Sequence, residues 1–230
     1  MVEPNNREPF AVELDRLIVE DSEVFIIAIE VFKTAISAVF SPDPEIAQYA
    51  MQLNDECAAR GDQLRRDTVG ALARWSPSGD ALRRVVDIGR TAAESMVICQ
   101  HGKHVAEHAL ALQGMADQYF AFVHPQASAV FLSLVQQVYY GLRGCLVLTS
   151  ARDRALAARV IAEDARIHQW QQMLTERIEQ VSFDLPQHAS AFRHLVEIVQ
   201  ACRQIGLSVL TICRDALAGP RYARTPSFGG

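Results

Sequence analysis

Apolar residues return at every third or fourth position along nearly the whole chain, and only a few proline-marked breaks interrupt that period. Residues recurring at i, i+3, i+4 and i+7 share one face of an α-helix, whereas a half-buried strand alternates with period two. The spacing therefore predicts six helices and no strand. The first keeps its period through Phe10, Leu14, Leu17, Ile18, Phe25, Ile29, Phe32, Ile36 and Phe40, which is about eight turns. Ser41-Pro42-Asp43-Pro44 ends it, with Asp43 as the cap and Pro44 at the first position of a second helix reaching about Trp75. Ser76-Pro77 reads as the cap and first turn of a third helix that runs to Leu112.

Gln113 to Pro125 is the one shift of composition in the chain interior, and its Gly114 and His124-Pro125 break helices. The boundary between two halves belongs there. A fourth helix, about Gln126 to Thr149, carries Val130, Phe131, Leu134, Val138, Leu142, Cys145 and Leu148, enough to predict burial on more than one side. Ser150-Ala151-Arg152-Asp153 resembles a capping box and starts a fifth helix to about Val181. After the turn Ser182-Phe183-Asp184-Leu185-Pro186, a sixth runs to the Ala218-Gly219-Pro220 stop. Residues 1–8 read as a loose lead-in and 219–230 as a disordered tail.

The two halves repeat one another. Ser41 and Ser150 lie 109 residues apart, as do Pro77 and Pro186, while Ile98 with Ile205 and Val105 with Ile212 are 107 apart. Two residues are dropped early in the last helix of the second copy. Short turns join antiparallel neighbours, so the expected fold is all-α: two tandem antiparallel three-helix bundles, residues 9–113 and 126–218.

With 230 residues, half of them hydrophobic, the chain can bury a substantial core. Its net charge of −5 and lack of a basic run argue against nucleic acid, and no glycine-rich phosphate loop suggests a nucleotide. Cysteines 57, 99, 145, 202 and 213 form no CxxC pair and sit in helix-like sequence, as core residues of a reducing compartment do. The first residues lack a signal-peptide pattern, and the longest uncharged stretch, Gln118 to Leu142, is broken by Pro125 and glutamines. Cytoplasm without a membrane span is the expectation.

One stretch carries the chemistry. Steps of four on the third helix align Met96, Gln100, His104 and His108 in one slanted row. The layout and the signature helices resemble the PhoU family, the phosphate-uptake regulators. Its repeats carry a proline, a leucine-arginine pair and a Glu-Arg-Ile-(Gly/Ala)-Asp-His-Ala-x-Asn-Ile-Ala segment. Pro77, Leu82-Arg83, Arg90, Ile98, His101, Val105 and Ala106 fit this template in the first copy. In the second, Pro186, His194-Leu195, Ile198, Gln204-Ile205-Gly206, Ile212 and Cys213 do. Val160 to His168 is similar to the family's Val-Ile-x-x-Asp-x-x-Val-Asp. The resemblance spans about residues 9 to 218.

It implies a non-enzymatic regulator that binds a phosphate ABC transporter and a sensor histidine kinase, often as a homodimer. It also implies metal clusters on a Glu-x-x-x-Asp pair, the following Asn and acids of the neighbouring helix. Here Met96, Gln100 and His104 replace those three in the first copy, and Arg203, Leu207 and Thr211 in the second. Hard cations need carboxylate oxygens, so no cofactor is expected and a diverged relative with another partner is an alternative. Asp164 keeps its family position, His168 replaces the next aspartate, and the first copy leaves Asp55 and Glu56 both open.

A second alternative is a helical zinc- or iron-binding protein using His101, His104 and His108, or Asp164 with His168, since imidazole suits the later transition metals. A solvated polar face, and a surface ion pair one turn apart for Asp164 and His168, explain the same residues. His104-Val105-Ala106-Glu107-His108 also matches the inverted zinc-protease pattern, but that chemistry needs a third ligand and a substrate groove with an edge strand. Arg90 and Glu94 read as an ion pair across four residues of one face.

Overall fold

The computed structural model describes residues 7–151 and 153–218, and the tail expected from 219 onward lies outside them. Eight α-helices and no strand are present among these residues: α1 Arg7–Phe40, α2 Pro44–Trp75, α3 Gly79–Leu112, α4 Ala116–Val123, α5 Ala127–Ala151, α6 Arg154–Ala162, α7 Asp164–Asp184 and α8 Ala189–Leu217. The first three form one antiparallel bundle, and α5, α6–α7 and α8 form the second. The all-α architecture expected from periodicity is therefore the one observed. Phe25, Phe32, Phe120, Phe131 and Phe192 are fully buried, each contributing about 2–3 kcal/mol by leaving water.

Local chemistry sets most boundaries. The Asp43 carboxylate accepts the Glu45 N–H at 2.9 Å and Pro44 opens α2, as expected. Ser76 does not cap α3. It takes a left-handed conformation (φ 42°) and ends α2 through its N–H to the Leu72 carbonyl, leaving Pro77 buried in the connection. A residue before proline is disfavoured in the right-handed helix, so the break falls there; α3 begins two residues after Pro77, at Gly79.

The capping box expected at Ser150 is also displaced. Ser150 is still within α5, and Asp153 does the capping, accepting the N–H groups of Ala155 and Leu156 at 2.9 and 3.0 Å. The fifth helix is two helices, α6 and α7, broken at Glu163. The break places Asp164 in the first turn of α7, where unpaired amides favour a carboxylate. The stretch 113–125, read as a connection, holds α4. Its Ala116, Phe120 and Val123 are buried, and Phe120 stacks on Phe131 at 5.1 Å between ring centroids.

The halves meet through α3 and α8, with α1 against α5 beside them. Arg90 reaches Asp215 at 3.6 Å near one end of the α3–α8 contact, and His108 reaches His194 near the other. These partners fix the two helices as antiparallel. Arg90 thus pairs across the halves and not with Glu94.

One kind of close contact occurs in both bundles. A Cβ on Gly102 of α3 would stand 2.6 Å from Val31 Cγ1 of α1, and one on Gly141 of α5 would stand 2.8 Å from Val209 Cγ1 of α8. Each is a close approach of a helix backbone to a valine of a neighbouring helix within one bundle. Backbone and branched side chain meet too closely in both for a second Cβ.

Two segments, Ala127–Leu148 and Pro186–Leu217, are long and apolar enough to cross a membrane by length and composition alone, and 44% and 61% of them are buried in the bundles. Burial explains Phe131, Leu134, Val138, Leu142, Cys145 and Leu148, but Leu132, Tyr140 and Val147 form an exposed strip on α5. Asp21 is the one charged residue buried in the core among the described residues, and its Oδ1 has no hydrogen-bond partner there. Burial pushes its carboxyl up to about 8.

Candidate functional site

The slanted row on α3 does not act as one unit. Met96 lies over Gly61 of α2, where a Cβ would come within 2.7 Å of Met96 Cγ and 2.8 Å of its sulfur. The thioether therefore fills space at the position where the resemblance places a carboxylate. Beneath it the Cys57 thiol donates to the Ser95 carbonyl at 3.8 Å. This end of the row is apolar packing.

Farther along, Gln100 Nε2 and His104 Nε2 are 3.0 Å apart, and the rings of His101 and His104 meet edge-on at 5.9 Å. Burial, and then the neighbouring His104, lower the pKa of His101. His108 leaves the row altogether. Its Nδ1 faces Nδ1 of His194 on α8 at 2.9 Å, 86 residues away in sequence, with the rings 5.2 Å apart. Burial and then His194 lower the His108 pKa, opposed by the negative fields of Glu197 and Glu107.

The three histidines within two turns of α3 are thus not one ligand set: His101 and His104 stay together, whereas His108 belongs to the junction with the second half. Among the described residues, no three His, Cys, Asp or Glu side chains gather about one point as they would around an ion.

In the second repeat the geometry answers the substitution directly. Arg203 on α8, where the resemblance places a glutamate, holds Nη1 2.5 Å from Oδ1 of Asp164 on α7. Their side chains are 13% and 24% exposed, so the contact is screened little by solvent. A guanidinium fixed by its own helix supplies positive charge at Asp164. Asp164 pairs with Arg203, not with His168, which is exposed one turn along α7. The expected ion pair along α7 is replaced by one between helices.

Two participants escaped the sequence reading. His194 figured only as a template position, because nothing local announces a partner on another repeat. Arg203 stands in the sequence as a replaced template position, and its charge complementarity with Asp164 on the neighbouring helix is the signal that points to the pair.

No family model and no curated protein sequence matches the chain. Solved structures do. PhoU from Pseudomonas aeruginosa superposes with a TM-score of 0.83 at 17% identity, covering 90% of this chain and 97% of that one. The phosphate transport system regulatory protein PhoU from Streptococcus pneumoniae superposes with a TM-score of 0.76 at 17% identity, covering 90% and 95%. The pair of three-helix bundles, joined through α3 and α8 over nearly the whole length of both neighbours, is a PhoU-like fold.

Proposed function

We propose that this chain is a non-enzymatic regulator of phosphate uptake and phosphate-starvation signalling, acting in the cytoplasm by binding. Its partners would be a phosphate ABC transporter and a sensor histidine kinase, with occupancy set by the transporter's state. The observation that carries this reading is the extent of the structural likeness. A match over 90% of the chain and 97% of a PhoU structure includes both bundles and the junction between them, the entire body through which such a regulator would present helix faces. Fold alone does not fix function.

The rewritten ligand row bears on how the protein would work. With Arg203 neutralising Asp164 and Met96 packed on Gly61, partner recognition rests on helix surfaces already ordered without a metal cluster at those positions. Leu132 and Tyr140, exposed on α5, would lend an apolar face to self-association as a homodimer.

Deletion of the gene tests the proposal. Phosphate-starvation genes should be derepressed in phosphate-rich medium, or phosphate uptake should rise, and complementation by the intact chain should reverse it. Unchanged expression and uptake in the deletion strain would sink the proposal and leave the fold serving another partner.

A further inference from the structure

We propose that His108 and His194 form a clamp for a divalent transition-metal ion of the imidazole-preferring class, zinc being the representative, which ties the two repeats together at the α3–α8 junction. The site is distinct from the positions where the resemblance places metal clusters. His108 lies one turn beyond His104, the last of the three replaced positions, and His194 stands nine residues before Arg203 on the other half. The inference is independent of any role in phosphate regulation.

The geometry carries it. The two Nδ1 atoms face one another at 2.9 Å between antiparallel helices. A neutral imidazole has one N–H and one lone pair, so the contact holds a single hydrogen between two nitrogens. A cation can take that place once the hydrogen moves to Nε2 of the same ring, which leaves a lone pair on each Nδ1. With metal–nitrogen bonds of about 2.0–2.1 Å, nitrogens at this separation subtend roughly 90°, a cis angle of five- or six-coordinate ions, and a few tenths of an ångström more opens it to tetrahedral. Little motion of either helix is needed.

The surroundings favour a positive ion. Glu197, three residues after His194 on the same face of α8, and Glu107, beside His108, both act on His108 as negative charges. No third donor already converges on the pair among the described residues. Glu197 supplies it by a side-chain rotation, and water completes the shell. Because the ligands come from both repeats, occupancy adds a cross-link that is absent from the unfolded chain, and stability becomes metal-dependent.

The test uses the full chain, purified without a metal-affinity tag and stripped with chelator. Zinc is titrated against a chromogenic competitor, with cobalt(II) as the spectroscopic probe. One ion per chain, a cobalt spectrum of nitrogen ligation and a higher melting temperature with zinc are expected. His108→Asn and His194→Asn should each weaken binding by more than the roughly 10–100-fold typical of losing an outer-shell partner. Glu197→Gln should weaken it, and His101→Asn and His168→Asn should leave it unchanged.

Should either imidazole variant fail to fold, zinc protection of individual histidines in the unaltered chain from diethyl pyrocarbonate, mapped by mass spectrometry, gives the same answer. Protection of His108 and His194 together supports the clamp. Absence of stoichiometric binding, binding lost in His104→Asn but kept in His194→Asn, or protection of His101 and His104 instead, overturns it.

Discussion

Replacing Asp21 by asparagine should stabilise this protein, by an amount that grows with pH. Asp21 is 4% exposed and has an unpartnered Oδ1, and burial moves its carboxyl pKa from 3.8 to about 8. A folded-state pKa above the unfolded value means that the native chain holds a proton that the unfolded chain has released. Below 3.8 both states are protonated and the site costs nothing extra. Between 3.8 and about 8 stability falls by about 1.4 kcal/mol per pH unit, and above that both states are ionised and the loss is complete. The accumulated penalty is about 1.6 kcal/mol at pH 5 and about 4 kcal/mol at pH 7. An amide is isosteric and cannot ionise, so Asp21→Asn removes the pH-dependent part while retaining a buried polar group. Urea unfolding of both proteins at pH 5, 7 and 9 measures it. The stability advantage of the variant should widen from pH 5 to pH 9 with its steepest part below 8. A variant that becomes less stable than the parent as pH rises would refute the reasoning, because it would mean that Asp21 is ionised and paired.

The Asp164–Arg203 pair should behave as a coupled unit. Arg203→Ala leaves a largely enclosed carboxylate without its partner and should cost about 1–3 kcal/mol, whereas the charge-swapped Asp164→Arg with Arg203→Asp should recover part of it. A double-mutant cycle by denaturant unfolding reads the coupling, and additive losses would show the pair to be incidental. Gly61→Ala should cost about 1–3 kcal/mol, because its new Cβ would press on Met96 Cγ at 2.7 Å. Adding Met96→Ala should relieve most of that strain, and thermal melts that show no relief would mean the clash is with backbone instead.

Much of this fold is legible in the chain because it is written in local terms. Asp43-Pro44 starts α2 where capping chemistry requires, and Phe10 through Phe40 hold one helical face. Where expectation and structure part, a non-local term decides. Pro77 could open a helix as well as end one, and the left-handed Ser76 settled it. The break at Glu163 has no glycine or proline to announce it, and it leaves Asp164 at a helix start within reach of Arg203. The α4 helix was readable in Ala116, Phe120 and Val123, but its eight residues offer too few turns for periodicity to stand out beside Gly114 and Pro125.

Spacing along the chain, then, determined that this protein is helical and where most of its helices turn, while the resemblance to the PhoU family implies that Met, Gln, Arg and Leu stand in place of acidic ligands. Period and capping act over a few residues, so sequence alone expresses them. Only the tertiary structure decided what those substitutions do: Met96 fills the space above Gly61, Arg203 neutralises Asp164, and His108 turns from its own helix row to His194. Each outcome depends on which side chain another helix brings opposite, and packing two amphipathic bundles against one another fixes that, not any property of the residue by itself.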